Sequence, residues 1–88
     1  MQGGIVVKTR KQEIGNSNLV GKRIEFRRKE LGMKQKELLI QLQTRGIDMN
    51  ASGLSKLEGQ IRKVSDYELI SIAQILDVSV LWLLGLEE

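Results

Sequence analysis

The sequence contains several short segments in which apolar residues recur at three- and four-residue spacing, each bounded by a residue suited to a helix end. The clearest begins at Ser65, since the stretch from Ser65 to Glu68 has the serine-x-x-glutamate pattern of a capping box. The apolar face behind it consists of Leu69, Ile72, Ala73 and Leu76. Helices this short are stable only when they pack against one another. The pattern therefore predicts a compact all-α domain.

Three helices are predicted before this one, and the first two lie between Asn18 and Gly46. The first begins near Asn18 or Leu19 and ends at Gly32, which serves as a left-handed terminator. Its core stripe is Val20, Ile24, Arg27 and Leu31. Arg27 interrupts this stripe and must either reach out from the rim or lie outside the core. The second begins near Lys34 or Gln35, runs through Leu38, Leu39 and Leu42 to Thr44 or Arg45, and is closed by Gly46.

The segment from Asn50 to Glu58 is predicted to be a short helix with two different sides. Asn50 can cap its first turn through the side chain. An apolar stripe is formed by Leu54, Leu57 and Ile61, and the residues that point elsewhere are Ala51, Ser52, Ser55 and Lys56. Small polar residues with one lysine suit the floor of a DNA major groove. They also suit an ordinary solvated helix face, and the segment alone favours neither.

The end of the chain predicts a fourth and a fifth helix. Asp77 tolerates a left-handed conformation and ends the helix that follows Ser65. Ser79 can cap a short last helix, which is apolar nearly all round and contains Val80, Leu81, Trp82, Leu83 and Leu84. Such a helix must be buried on more than one side, either within its own domain or against a second copy.

Basic and acidic residues are divided between the two parts of the chain. Residues 1–63 carry all 14 Lys and Arg against 6 acids, a net charge of +8, whereas residues 64–88 carry 5 acids and no base. A positively charged surface attracts polyanions such as nucleic acids, and a negatively charged one repels them. The division indicates polyanion binding, with an ordinary solvated charged face as the alternative.

Enzymatic chemistry is the weakest candidate. The chain has no cysteine and no histidine, which removes disulfides, thiol catalysis and nearly all transition-metal ligand sets. The acids are scattered, and no glycine loop has phosphate-binding spacing. We therefore expect no catalytic residue, no metal and no cofactor.

Residues 1–17 are expected to form a flexible basic arm, and residues 18–88 the helical domain. The arm carries Lys8, Arg10 and Lys11, which either embrace a DNA backbone or belong to a tail without function, and a short β-prone run, Ile5 to Val7. It lacks the apolar run of a signal peptide, and no apolar stretch approaches the roughly 20 residues of a membrane span. We expect a cytoplasmic protein without a membrane partner.

Four groups of residues carry a resemblance to a known family: Gly21-Lys22-Arg23-Ile24 with Arg28; Leu31-Gly32-Met33-Lys34-Gln35 leading to Leu38; Leu54-Ser55-Lys56-Leu57-Glu58; and the run from Leu76 to Gly85. From about Leu19 to Leu86 the chain resembles the helix-turn-helix domain of the phage repressor and Cro superfamily, often called XRE-like regulators. The motifs are specific for the fold and much less specific for a biological role. The resemblance implies a compact five-helix, lambda-repressor-like domain.

The resemblance also implies roles for individual residues. The second helix would cross the phosphate backbone with Gln35 and Lys36 at its amino end. The third would be the recognition helix, and the residues presented to DNA would be Asn50, Ala51, Ser52, Ser55 and Lys56. Arg62 and Lys63 would contact phosphate from the loop that follows. Arg28 and Glu58 match a buried ion pair that links the first and third helices in this family.

The sequence departs from the family pattern in several places. Between Gln35 and Leu54 it has extra residues, which predict an extra turn on the second helix and a longer linker. Leu39 replaces the usual alanine, and Lys34 stands where a serine or threonine cap is common. Gly53 weakens the recognition helix by about 1 kcal/mol relative to alanine. A glycine usual two residues after the glutamate occurs one residue early, at Gly59.

The leading hypothesis is sequence-specific binding of double-stranded DNA by a transcriptional regulator, a repressor that acts as a homodimer on a palindromic site. The dimer surface would include Leu81, Trp82 and Leu84, for which ordinary core packing is the alternative. A second hypothesis is a protein-interaction or antitoxin-like module that uses the apolar C-terminal helix, with the basic face incidental.

Overall fold

A computed structural model describes residues 16–88 of the chain, which form α-helices joined by short loops and contain no β-strand in that range. The helices are α1 (Gly21–Glu30), α2 (Gln35–Thr44), α3 (Ala51–Glu58), α4 (Asp66–Leu76) and α5 (Val80–Leu83). The predicted all-α class and its compact packing are confirmed for this part of the chain. The predicted basic arm and its β-prone run lie outside the described residues, apart from Asn16 and Ser17.

The helix ends follow the local signals in the sequence. Gly32 and Gly46 have φ values of 70° and 84° and turn the chain after α1 and α2, as predicted. Asp77 ends α4 at a φ of 57°. The capping box at α4 is formed, because Ser65 Oγ accepts from the Glu68 amide at 3.1 Å and the Glu68 carboxylate accepts from the Ser65 amide at 2.9 Å.

The caps of α3 and α5 are formed too. Asn50 Oδ1 accepts a hydrogen bond from the Gly53 amide at 2.7 Å, and Ser79 Oγ accepts one from the Trp82 amide at 2.9 Å. α2 has no serine or threonine cap, but one hydrogen bond of the capping box is formed, because the Lys34 amide donates to the Glu37 carboxylate at 2.7 Å. Each cap satisfies an amide that a helix start leaves without a partner.

Three predictions about the apolar stripes and helix starts are wrong. α1 begins at Gly21 rather than near Asn18 or Leu19, because Asn18 Oδ1 accepts from the amides of Val20 and Gly21 and turns the chain there. Leu31 is 43% exposed, since α1 has ended one residue before it. Ile61 is 56% exposed because α3 ends at Glu58, so neither residue continues its core stripe.

The core lies where all the longer helices meet. α3 packs against α1 and α2, and α4 packs against α1, α2 and α5. Each fully buried leucine or isoleucine contributes roughly 1.5–3 kcal/mol. Arg27 lies at the rim, where its Nε donates to the Leu76 carbonyl at 2.9 Å. The buried apolar residues are Val20, Ile24, Leu38, Leu42, Met49, Leu54, Leu57, Ile72, Ala73, Leu76 and Leu83.

The last helix is only partly buried against the rest of the domain. Leu83 is fully buried, Leu81 is 49% exposed, and Trp82 and Leu84 are half-buried. No helix among residues 16–88 has both the length and the apolar character needed to cross a membrane.

Candidate nucleic-acid interface

α3 has one buried and one exposed side. Leu54, Leu57 and Glu58 are buried in the domain. The exposed side carries Ala51, Ser52, Ser55 and Lys56, the residues that the sequence assigned to DNA. A short helix is thus held by its apolar side and presents two hydroxyls, a methyl group and an ammonium group to solvent.

A buried ion pair fixes the C-terminal end of α3. Arg28 Nε donates to Glu58 Oε2 at 2.8 Å and Arg28 Nη2 donates to Oε1 at 3.0 Å, the bidentate pair that the resemblance implied. Arg28 Nη1 donates to the Met33 carbonyl at 2.8 Å. Hydrogen bonding to the Glu58 carboxylate raises the pKa of Arg28 above its ordinary value, although burial alone would lower it. Both charges are therefore paired inside the domain.

Gln35 joins the same network. Its Nε2 donates to Glu58 Oε1 at 2.9 Å, so one carboxylate receives hydrogen bonds from both α1 and the start of α2. The resemblance assigned Gln35 to the phosphate backbone. In the structure its amide group links α2 to α3 and helps to fix the orientation of these two helices.

A second polar link joins the start of α1 to the end of α3. Asn18 Nδ2 donates to the carbonyls of Leu57 at 3.0 Å and Arg62 at 2.8 Å. In return, Gln60 Nε2 donates to the Asn18 carbonyl at 3.0 Å, and the Ser17 amide donates to the Gln60 carbonyl at 2.8 Å. These bonds tie the segment before α1 to the end of α3 and to the loop that follows it.

The turn after α3 keeps its left-handed residue two positions after Glu58, where the family usually has glycine, so the early glycine does not shift the turn. Gly59 has an ordinary φ of −82°, and the left-handed conformation falls on Gln60 with a φ of 64°. A non-glycine residue there carries a cost of roughly 1–2 kcal/mol. The buried side chain of Gln60 offsets this cost through its hydrogen bond to Asn18.

A concavity of about 610 Å³ runs beside α3. It brings together four of the predicted DNA contacts: Asn50, Ser52, Lys56 and Arg62. Asp48 and Ile61 also line it, and the Asp48 carboxylate would repel a phosphate. Lys63 lies in another groove, beside the start of α4.

A second groove, of about 440 Å³, separates α2 from α3 and is lined by Gln35, Lys36, Leu39, Ala51 and Leu54. Leu39 lies in it, half-buried, at the position where the family has alanine. At the start of α3, a Cβ on Gly53 would lie 3.2 Å from Asn50 Oδ1, a tight contact with the capping side chain.

Arg62 is less available to DNA than the sequence suggested. Its two terminal nitrogens donate to the Glu68 carboxylate at 3.1 and 3.2 Å, and its side chain is 31% exposed. Burial raises the pKa of Glu68, but hydrogen bonds from Arg62 and from the Ser65 amide outweigh it, and the pKa lies below its usual range. Arg62 therefore anchors the loop to α4, and a phosphate would share its charge with Glu68.

We expect the free energy of unfolding of the Glu68→Gln variant to depend less on pH in the acidic range than that of the unmodified protein. A lowered pKa in the folded state stabilises the domain above the unfolded carboxyl pKa of about 4.3 and loses this effect as the pH falls through the folded value. Glutamine keeps the capping box but not the charge. Urea unfolding from pH 7 to pH 2 should show a deficit for the variant at neutral pH that disappears in acid. Parallel stability curves for the two proteins would contradict this expectation.

The predicted dimer residues lie on or beside α5. Leu81 is the most exposed of the three, and Leu84 lies in the groove between α5, the start of α1 and α4. Trp82 is occupied on one side by Arg23, whose guanidinium carbon is 4.2 Å from the ring centroid. Of these three residues, Leu81 therefore offers the most open apolar side chain to a second copy.

Several residues of the site were missed from the sequence. Asn18, Gln60 and Asp48 received no role, although an asparagine shortly before a helix is a usual signal for a capping turn. Gln60 stands where the family usually has glycine, and that position is the signal for its left-handed conformation. Nothing in the sequence marks Asp48 as a lining residue. Within the described range, no group of three or more His, Cys, Asp and Glu side chains could hold a metal ion.

Comparisons of the chain with protein-family models, with curated proteins and with solved structures found no match. The function of the α3 surface must therefore be inferred from its side chains and their geometry.

Proposed function

We propose that the chain binds double-stranded DNA in a sequence-dependent manner through α3 and acts as a transcriptional regulator. On this proposal, α2 and α3 form the helix-turn-helix of a lambda-repressor-like domain. The observation that carries it is the division of α3, whose buried side is fixed by Leu54, Leu57 and Glu58 while its small polar side is exposed. A helix fixed in this way can enter a groove without being reshaped.

The dimensions and chemistry of α3 fit a major groove. An α-helix with its side chains is about 10–12 Å in diameter, and the major groove is about 12 Å wide. The hydroxyls of Ser52 and Ser55 can donate to or accept from base edges, and the Ala51 methyl group can contact a thymine methyl. Lys56 can reach guanine or phosphate.

The surface charge supports DNA binding by two copies better than by one. Lys36, Lys56 and Lys63 are exposed, whereas Arg62 is paired with Glu68 and Asp48 adds a repulsive charge. A single copy therefore has few cations for phosphate, and affinity grows with each neutralised phosphate. We infer that two copies bind half-sites about one DNA turn apart and repress transcription from the palindromic site.

Selection of bound duplexes from a random DNA pool tests the proposal directly. We expect a palindromic consensus whose half-site spacing is close to one helical turn or a multiple of it. Absence of enrichment at low salt would sink the DNA proposal and favour the protein-interaction module.

Replacing Lys56 by alanine is expected to weaken binding of the selected duplex by about tenfold or more, as for loss of one base or phosphate contact. If Lys56 contacts phosphate, the slope of log affinity against log salt should also fall by about 1. Fluorescence anisotropy at several salt concentrations measures both quantities. Lys22→Ala is the matched control, because Lys22 is an exposed lysine on α1 and its replacement removes the same charge. Equal losses in the two variants would show that net charge, not α3, carries the affinity.

A further inference from the structure

The outer side of α1 carries a concavity that the proposed DNA surface does not use. We call it the Phe26 face; its lining residues are Lys22, Arg23, Glu25, Phe26, Lys29 and Trp82, and its volume is about 660 Å³. Phe26 is 59% exposed, a large apolar side chain among cations. The Phe26 face shares no lining residue with the two grooves beside α3. The Phe26 face is therefore a separate surface.

One wall of the Phe26 face is held in place by two contacts. Arg23 Nε donates to the Trp82 carbonyl at 2.6 Å, and the guanidinium carbon lies 4.2 Å from the centroid of the indole ring. This cation-π contact joins α1 to α5 and orients both side chains. The wall is therefore already formed before any partner arrives, which lowers the entropic cost of binding.

The cations of the Phe26 face have a helical spacing. Lys22 and Lys29 lie four residues before and three residues after Phe26, so all three share one side of α1 and the lysines are about 10 Å apart along its axis. Lys29 Nζ is 3.1 Å from a Glu25 carboxylate oxygen, with the lysine side chain 65% exposed. Such an exposed pair is weak and easily exchanged for another carboxylate.

We propose that the Phe26 face binds an acidic amphipathic helix of a partner protein. A helix laid along α1 would place one apolar side chain against Phe26 and Trp82 and two carboxylates, about seven residues apart, against Lys22 and Lys29. Charge complementarity selects this occupant, because the face is basic at both ends and apolar in the middle. Duplex DNA offers phosphates but no apolar side chain for Phe26.

A synthetic helix tests the proposal. The probe is a cross-linked helical peptide without tryptophan that carries two glutamates seven residues apart and a leucine between them, and its control has lysines in place of the glutamates. Trp82 is the only tryptophan of the chain, so its fluorescence reports binding at this face. We expect saturable binding with a Kd on the order of 10–100 μM for the acidic peptide and at least about tenfold weaker binding for the basic one.

Variants of the chain locate the contact. Phe26→Ala removes an exposed side chain, so the fold should survive, and we expect at least a roughly tenfold loss of affinity for the acidic peptide. Lys22→Glu should lose at least as much. Lys56→Glu makes the same charge change on α3 and should leave the affinity within about twofold. Thermal unfolding of each variant checks that it is folded.

Several results would overturn the proposal. They include absence of saturable binding, equal binding of the basic peptide, and equal affinity in Phe26→Ala. Displacement of the acidic peptide by duplex DNA, with weaker DNA binding in Phe26→Ala, would instead assign the face to the DNA surface. Self-association of the chain that is lost in Phe26→Ala would assign it to a second copy. The peptide titrations and the self-association measurement do not depend on whether α3 binds DNA, so the two proposals can fail separately.

Discussion

Replacing Gly21 by alanine is expected to lower the free energy of unfolding by at least about 3 kcal/mol. A Cβ at this position would overlap the Leu57 carbonyl oxygen and lie 2.7 Å from that of Glu58. Both obstacles are backbone atoms at the end of α3, and they can move only if α1 and α3 separate. Separation would also strain the neighbouring hydrogen bonds of Asn18 to the carbonyls of Leu57 and Arg62.

Thermal and urea unfolding measure this loss, and a melting temperature lower by more than about 10 °C is expected for a domain of this size. Gly59→Ala is the matched control, because its Cβ would lie 3.4 Å from the nearest oxygen at an ordinary φ of −82°. That variant should change stability by less than about 1 kcal/mol. A loss below about 1 kcal/mol for Gly21→Ala would mean that the helices do not approach as closely as described.

Replacing Glu58 by alanine is expected to cost about 3–5 kcal/mol, because it leaves the Arg28 charge buried without its partner. Arg28 and Glu58 have side chains that are only 8% and 3% exposed, so water cannot take over their hydrogen bonds. Gln35 would lose its acceptor at the same time. α3 would then lose the hydrogen bonds that the Glu58 carboxylate accepts from α1 and α2.

A double-mutant cycle of Arg28→Ala and Glu58→Ala measures the coupling by urea unfolding. We expect the double variant to lose much less than the sum of the single variants, since the second substitution removes the stranded charge. The exposed pair of Glu25 and Lys29 is the control, with an expected coupling of about 0.5 kcal/mol or less. Additive losses at Arg28 and Glu58 would show that the buried pair is not coupled.

The parts of the fold that depend on neighbouring residues could be predicted from the sequence. Ser65 and Ser79 mark helix starts, and Gly32 and Asp77 mark helix ends, because a capping hydroxyl or a left-handed residue acts within a few positions of itself. Periodicity failed only where it was extended past a helix end, as at Leu31 and Ile61. A stripe of apolar residues does not record where the helix stops.

Apart from the pair of Arg28 and Glu58, which the resemblance implied, the contacts between distant residues could not be predicted. Gln60 becomes left-handed and buried because Asn18 lies opposite it, 42 positions away in the sequence. The sequence shows Gly21 only as part of a motif. The reason that glycine is needed there is the close approach of the α3 backbone. Arg62 and Glu68 were each named separately, the one as a DNA contact and the other as a cap, and their pairing appears only in three dimensions.

The candidate site divides in the same way. The exposed residues of α3 follow from the helical period, which separates Ala51 and Ser52 from Leu54 and Leu57. Whether Gln35 and Arg62 are available to contact DNA does not follow from the helical period. It depends on the carboxylate that each side chain contacts in the fold, which is Glu58 for Gln35 and Glu68 for Arg62. The Phe26 face was not foreseen, since a phenylalanine among lysines reads equally well as a core residue until its helix is oriented.

The link between Asn18 and the end of α3 bears on how the domain opens. α3 has eight residues, too few to remain helical alone, and the carbonyl of Leu57 in its last turn accepts a hydrogen bond from Asn18, near the start of the described residues. α3 therefore cannot fray at that end without releasing the start of α1. Partial unfolding of the helix and unfolding of the whole domain become one cooperative event, and the exposed side of α3 exists as a surface only while the entire domain is folded.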